Sequence, residues 1–368
     1  MRKIFKQLHI WLSIPLGVVI AITCFSGAML IFEKEITRMV QRDYYYVEED
    51  WGEPLPLDVL VAAVEPTLEE GRKITGVTIS DDPEQSYKVN INTPKRAAVY
   101  VDQYTGEVLG EPGRLQFFKD MFSLHRWLMD ERPEDKDAVF WGKMIVGTST
   151  LLMVIIILTG AVLWFPKSLK ALKHRSQIAL RKGWHRFWYD LHVVGGIYAT
   201  LLLLAMALTG LTWSFEWYNK GFYKLLGADT GASAGAVAKS SKGGAKSNIE
   251  NPYIHWSDVV REVESRNDDY IEMTISKGKV DVKSSNYGNQ RAKDTYHFDG
   301  ATGEITSVER YADKASDSKT KGWVYSVHVG SWGGIFTRVL WFLAAMLGAT
   351  LPLTGYYLWI KRKFFKRK

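Results

Sequence analysis

The chain has 368 residues and carries 47 Lys and Arg against 40 Asp and Glu, a formal net charge of +7. That length allows two or three domains. The single cysteine, Cys24, excludes an internal disulfide. The excess positive charge lies beside apolar segments, so it bears on membrane topology and gives no reason to expect a nucleic-acid partner.

Four blocks, Ile10–Phe32, Met144–Phe165, Leu191–Phe215 and Val339–Ile360, each run for about 22 to 25 residues without a charge. Each is long enough to cross a hydrocarbon core of about 30 Å. Basic residues concentrate on one side of them. They are Arg2, Lys3 and Lys6; then Lys167, Lys170, Lys173, Arg175, Arg181, Lys182 and Arg186; then Lys361, Arg362, Lys363, Lys366, Arg367 and Lys368. By the positive-inside rule both termini and the short loop are cytoplasmic and both long segments are external. The first apolar run is too long for a signal-peptide core and no small-x-small site follows it, so it is read as a retained span.

In chain order, residues 1–32 hold transmembrane helix 1 behind a cytoplasmic N-terminus. Residues 33–137 form a first external domain. Leu57–Leu68 has the spacing of an amphipathic helix, Ile74–Ser80, Ser86–Asn92 and Ala98–Asp102 read as strands, and Leu115–Trp127 reads as an amphipathic helix lying on the membrane surface. Residues 138–166 hold helix 2, 167–190 a basic loop and 191–215 helix 3. Residues 216–322 form a second external domain with a Gly-, Ala-, Ser- and Lys-rich linker at 227–251, a helix at Ser257–Ser265 and strands at Tyr270–Ile275, Lys279–Ser284 and Asp294–Asp299. Residues 323–368 hold helix 4 and a basic tail.

The two halves share landmarks. Val101–Leu109 and Phe298–Thr306 both read apolar-Asp-x-x-Thr-Gly-Glu-apolar. A histidine follows each, His125 and His328, and then a span with a basic residue at its mouth, Lys143 and Arg338. Each of these spans closes with Thr-Gly and then Trp. The expected fold class is therefore a membrane protein of four transmembrane α-helices in two tandem repeats, each repeat carrying a small α+β domain.

The histidines fall on two levels. His9 and His192 stand at the cytoplasmic ends of spans one and three, and His125 and His328 stand on the outer side before spans two and four. Span one separates the levels by roughly 30 Å, so His9 can share an ion with His192 and His125 with His328. Two imidazoles at one level suit a six-coordinate b-type haem; with no Cys-x-x-Cys-His in the chain, c-type attachment is excluded. Two b-type haems are thus expected. Gly160 and Gly355 lie near the first level and Gly27 and Gly210 near the second, where a missing side chain gives a flat ring access to the backbone. Lys143, Arg338 and Arg126 outside, and Arg186, Lys3 and Lys6 inside, are candidate partners for haem propionates. A zinc site is the alternative, although it normally takes four ligands. His185, seven residues before His192, is read as a propionate partner or interfacial residue, and His174, His255 and His297 as surface residues.

Leu8-His9, Leu124-His125-Arg126, Leu191-His192 and Val327-His328, each tied to a span with Ser-Gly or Thr-Gly, resemble the PepSY-associated transmembrane helix family. The external segments resemble degenerate PepSY domains. The family includes ferric-siderophore reductases of the bacterial inner membrane that carry two haems. The resemblance implies haem ligation by His9 with His192 and by His125 with His328, periplasmic PepSY-like domains, and a ferric siderophore or other ferric chelate as electron acceptor. Trp51, Trp127, Trp323, Tyr325 and Trp332 are candidate walls for such a chelate. No flavin or nicotinamide motif is present, so electrons are expected from a quinol or a separate cytoplasmic donor. Two other readings stand beside this one: an electron carrier for another periplasmic acceptor, and a haem-free PepSY-type regulator.

Overall fold

The computed structural model describes residues 1–47, 52–94, 96–135, 137–166, 168, 172, 175–179, 182–228, 251–285 and 288–365. Trp51, Lys167, Lys170, Lys173, His174, Arg181, nearly all of the 227–251 linker and Lys366–Lys368 lie outside the described residues. The helices are α1 (Arg2–Leu30), α2 (Glu33–Val40), α3 (Arg42–Tyr45), α4 (Leu57–Val64), α5 (Gln116–Trp127), α6 (Trp141–Trp164), α7 (Trp184–Trp213), α8 (Glu216–Leu225), α9 (Trp256–Glu264), α10 (Ser316–Val329) and α11 (Gly334–Phe364). The strands are β1 (Ile74–Ser80), β2 (Tyr87–Ile91), β3 (Ala98–Val101), β4 (Val108–Gly110), β5 (Tyr270–Ser276), β6 (Lys279–Ser284), β7 (Asp294–Phe298) and β8 (Ile305–Glu309). The chain divides into two units.

The first unit comprises Met1–Glu33, Leu115–Ala228 and Trp323–Lys368. Four of its helices, α1, α6, α7 and α11, are long and apolar enough to cross a membrane. In it α1 packs on α6 and α11, and α7 packs on the same two helices from the other side. Two small residues, Ala199 and Ala344, pack with Leu203 in the buried seam, as expected where close packing drives helix association. The outward faces carry Trp11 and Leu201, each 74 % exposed, which suits lipid and would be a liability in water.

The second unit comprises Lys34–Arg114 and Asp229–Gly322. Its centre is one antiparallel sheet of eight strands in the order β4-β3-β2-β1-β5-β6-β7-β8. The sequence reading keeps the two external segments as separate domains; here they share one sheet and one core. Each four-stranded half would leave an open edge, and pairing β1 with β5 removes both of these inner edges. Gly76 permits that seam, because a Cβ there would lie 2.3 Å from the Ile275 carbonyl oxygen. Val77, Ile79, Val89, Met273, Ile275 and Val282 alternate onto one face, under α4 and α9. The Ser257 hydroxyl accepts from the Leu57 amide at 2.8 Å and so caps α4 from α9.

The repeated Asp-x-x-Thr-Gly-Glu stretch forms the same turn twice. Asp102 Oδ1 accepts from the amides of Tyr104 and Thr105, and Asp299 Oδ1 from those of Ala301 and Thr302. Gly106 and Gly303 each have φ +78°, which an L side chain rarely adopts. The second turn runs straight into β8, which begins at Ile305.

Candidate functional site: two histidine pairs in the helical unit

His9 projects from the first third of α1, and its Nδ1 lies 3.0 Å from the Ile156 carbonyl oxygen and 3.2 Å from Thr159 Oγ1, both on α6. His192 projects from α7, and its Nδ1 lies 3.1 Å from the Leu351 carbonyl oxygen and 2.9 Å from Thr354 Oγ1, both on α11. The two rings face each other with centroids 6.3 Å apart and planes at 83°. His192 lies in a π turn, Leu191–Gly195, which carries one extra residue and so re-aims the side chains around it.

The second pair repeats this arrangement. His125, near the end of α5, places Nδ1 2.8 Å from the Thr23 carbonyl oxygen on α1. His328, near the end of α10, places Nδ1 3.1 Å from the Met206 carbonyl oxygen and 3.1 Å from Thr209 Oγ1, both on α7. The ring centroids are 6.1 Å apart. The two levels differ by about 20 Å along α1, from His9 to Thr23.

A carbonyl oxygen can only accept, so Nδ1 carries the proton in all four imidazoles and Nε2 keeps its lone pair. This is the tautomer and the orientation that a metal-ligating histidine needs. A metal–imidazole bond is about 2 Å long, and two such rings on opposite sides of one metal have centroids about 6 Å apart. Both observed separations fit that arrangement. Among the described residues no three His, Cys, Asp or Glu side chains gather around a common point, so neither pair offers the four ligands of a structural zinc site.

The glycines the sequence singles out lie against the histidines. A Cβ on Gly160 would come 3.2 Å from His9 Cε1, on Gly355 3.3 Å from His192 Cε1, on Gly210 3.0 Å from His328 Cε1, and on Gly27 2.7 Å from His125 Cε1. They admit the imidazole edge itself, where the sequence reading gives that space to a larger ring. The residue one place before each glycine, Thr159, Thr354 and Thr209, supplies a hydroxyl to Nδ1; Ser26 instead bonds back to the Ile22 and Thr23 carbonyls. Sequence reasoning uses these Ser-Gly and Thr-Gly pairs as landmarks and misses the hydroxyls' role.

A cleft of about 1970 Å³ opens at the first pair, lined by His9, His192, Gly160 and Gly355 and by the cations Lys3, Lys6, Arg175, Lys361, Arg362 and Lys363. His185 also lines it and packs on Tyr357 at 5.9 Å. Arg186 is placed differently from its expected role: its Nε donates to Asp190 Oδ2 at 2.9 Å, and Asp190 is 2 % exposed. Arg175, which sequence reasoning did not single out, lines the cleft and donates to the Trp164 carbonyl oxygen at 2.6 Å.

Around the second pair, Leu128 and Met129 in the left-handed region stop α5, and Asp130 Oδ2 then caps α6 through the Gly142 amide at 2.7 Å. Trp213 stands edge-on to His328 at 5.1 Å and Tyr325 lies 6.5 Å beyond Trp213. Arg126 lies over the Trp127 ring at 5.3 Å. Arg338 donates to the Ile31 carbonyl oxygen and lies over Phe32 at 4.9 Å, closing the end of α1. Lys143 occupies the first turn of α6, half-buried. Of the other aromatic candidates, Trp127 packs on Phe140 and Trp332 on Trp341, and Trp323 is 41 % exposed. His255 lies against the Gly303 turn and His297 is half-buried on β7, both in the second unit.

Residues 6–362 match the sequence profile of the PepSY-associated TM region. The chain belongs to that family. It is a membrane protein by the same match and by its four apolar helices. None of the curated proteins compared with it matches in sequence.

Proposed function

We propose that the chain binds two b-type haems, one between His9 and His192 and one between His125 and His328, and passes electrons across a bacterial inner membrane to a periplasmic ferric chelate such as a ferric siderophore. The observation that carries this reading is the pair of matched histidine sites, each with protonated Nδ1 tied to a helix carbonyl and ring centroids 6.3 or 6.1 Å apart. Bound haem supplies reversible one-electron chemistry. The chain's part is to hold two neutral imidazoles in one tautomer at each level, a ligand set that would favour electron transfer over oxygen binding in a bound haem. Lys3, Lys6 and Arg175 would neutralise propionates at the mouth of the first cleft. Siderophores hold hard ferric iron far better than ferrous iron, so reduction is release. Electrons enter from a quinol or a separate cytoplasmic reductase.

Tandem repetition accounts for the arrangement. In one copy His9 leans on α6 and His125 on α1; in the other His192 leans on α11 and His328 on α7. Each copy makes its own hydrogen bonds, and each site takes one histidine from each copy. The basic flanks favour cytoplasmic termini and periplasmic external segments by the positive-inside rule.

The test is an optical spectrum of detergent-purified protein, oxidised and dithionite-reduced, with haem quantified per chain. Two low-spin b haems per chain, each lost separately in His9→Ala and His328→Ala, and reoxidation of the reduced protein by ferric siderophore with ferrous iron trapped, are the expected results. Colourless protein made with haem available would sink the redox reading and favour a regulator.

A further inference from the structure

The face of the eight-stranded sheet opposite the apolar core is polar, and its charges are not balanced throughout. Register places Tyr100, Lys88, Thr78, Thr274 and Asp281 in one row across β3, β2, β1, β5 and β6, with Ser80, Glu272 and Lys283 in the next. Over the β6–β7 end the lysines are neutralised: Lys293 reaches Asp281 Oδ2 at 2.6 Å and Lys279 reaches it at 3.7 Å. Over the β1–β2–β5 part they are not. Lys88 and Lys283 are joined there by Lys34 and Arg38 of α2; Glu272 lies in electrostatic reach of both Lys34 and Lys88, and Glu35, beside Lys34 on α2, in reach of Lys34, so four cations stand beside two carboxylates. Among the described residues none of the four is in an ion pair.

A bland solvated face does not account for this. Lys88, Lys283 and Arg38 are half-buried, and burial, with Arg38 and Arg96 adding repulsion, holds the Lys88 ammonium below the usual lysine range despite Glu272. Clustered cations at such a place are costly without an anion. The floor between them offers hydrogen bonds: Thr78 and Thr274 hydroxyls lie 2.9 Å apart and Asn90 Nδ2 donates to Thr78 Oγ1 at 2.9 Å. Tyr45 and Tyr100, 4.7 Å apart, close one end with aromatic surface.

We propose that this face binds an oxygen-rich polyanion, held by Lys34, Arg38, Lys88 and Lys283 over the Thr78–Thr274 floor, and that the polyanion is an anionic ferric chelate of the carboxylate or catecholate kind. The second half rests on the redox reading above. The site lies wholly within the second unit and needs no haem.

Gallium(III) citrate, a redox-inert analogue of ferric citrate, is titrated calorimetrically into the full chain in detergent. Saturable binding that weakens with salt is expected, with Lys88→Gln and Lys283→Gln each weakening it about fivefold. Glu272→Gln, which removes the carboxylate that reaches both Lys34 and Lys88, should tighten it about fivefold, a gain that a misfolded variant would not give. Lys277→Gln, at an exposed hairpin position outside the cluster, should leave it unchanged. No binding by folded protein, or weaker binding by Glu272→Gln, overturns the site. Equal affinity for metal-free citrate overturns the chelate assignment. Colourless protein that binds gallium citrate keeps the site and removes the redox reading; haem-loaded protein that fails to bind it does the reverse.

Discussion

Gly27→Ala makes the tightest contact of the four glycines that lie against the histidines. The added Cβ would lie 2.7 Å from His125 Cε1 and 2.8 Å from its Nδ1. Ordinary carbon contacts begin at about 3.5 Å, so the ring must retreat by about 0.8 Å. Metal–ligand distances tolerate only about 0.2 Å, and the same retreat would break the 2.8 Å hydrogen bond from Nδ1 to the Thr23 carbonyl oxygen. Loss of both the ligand's position and its orienting partner should lower haem affinity at that site by about tenfold to a hundredfold. Ala favours helix over Gly by about 1 kcal/mol, so α1 itself should not unfold. Gly355→Ala is the internal control: its Cβ would lie 3.3 Å from His192 Cε1, and a shift of a few tenths of an ångström accommodates it. The assay is haem per chain with electron paramagnetic resonance of each low-spin centre. Gly27→Ala should retain one haem and Gly355→Ala two. Two unperturbed haems in Gly27→Ala would refute the claim that Gly27 holds the imidazole in place.

Thr209→Val and Thr354→Val test the hydroxyls. Thr209 Oγ1 donates to the Ala205 carbonyl oxygen at 2.6 Å, so its lone pair faces His328 Nδ1; without it the imidazole is a less basic ligand, so haem affinity at that site should fall by about tenfold and the potential of that haem should rise in a redox titration. An unmoved or lowered potential would count against it. Asp281 gives a pH dependence. Burial pushes its carboxyl up, but the Lys293 and Thr295 hydrogen bonds and the Lys279 charge more than reverse this, leaving it below the ordinary carboxylate range. A depressed carboxylate contributes stability that is full above its unfolded value near pH 3.9 and is lost as pH falls through its folded value. Asp281→Asn should therefore cost about 1 kcal/mol at neutral pH and flatten the acid loss below about pH 4, measured by urea unfolding; an unchanged acid limb would exclude Asp281 as its source. Protein made under haem limitation should melt at lower temperature than haem-replete protein, since ligand bound to the folded state alone stabilises it.

The elements were legible where one local rule dominates. A charge-free run of 20 or so residues has few places to go outside a bilayer, and α1, α6, α7 and α11 follow. Strands β1, β2, β5 and β6 follow from alternation, because one face of the sheet lies under α4 and α9. The pairing of β1 with β5 was not legible. It joins segments about 200 residues apart, and nothing local in either strand names its partner; Gly76, whose absent side chain lets the strands meet, reads in isolation only as a weak point in a strand. The partner Arg186 takes in the structure is a local one. Asp190, four residues on, pairs with it in an i,i+4 contact, a short-range partner that a reading by membrane level does not weigh.

The histidine sites show how far spacing alone reaches. Residues i, i+3 and i+4 share one helix face, and in three of the four cases that face presents a carbonyl at i, a threonine hydroxyl at i+3 and a glycine at i+4 to one imidazole. Ser26-Gly27, Thr159-Gly160, Thr209-Gly210 and Thr354-Gly355 are thus sockets for histidines on other helices, and the sequence held the signal in the equal number of such pairs and candidate ligands. The glycine looked like room for a macrocycle because a missing side chain has no direction in a sequence. The threonine gives it one: its hydroxyl donates back to a carbonyl of its own helix, which leaves its lone pair facing the imidazole that fills the gap.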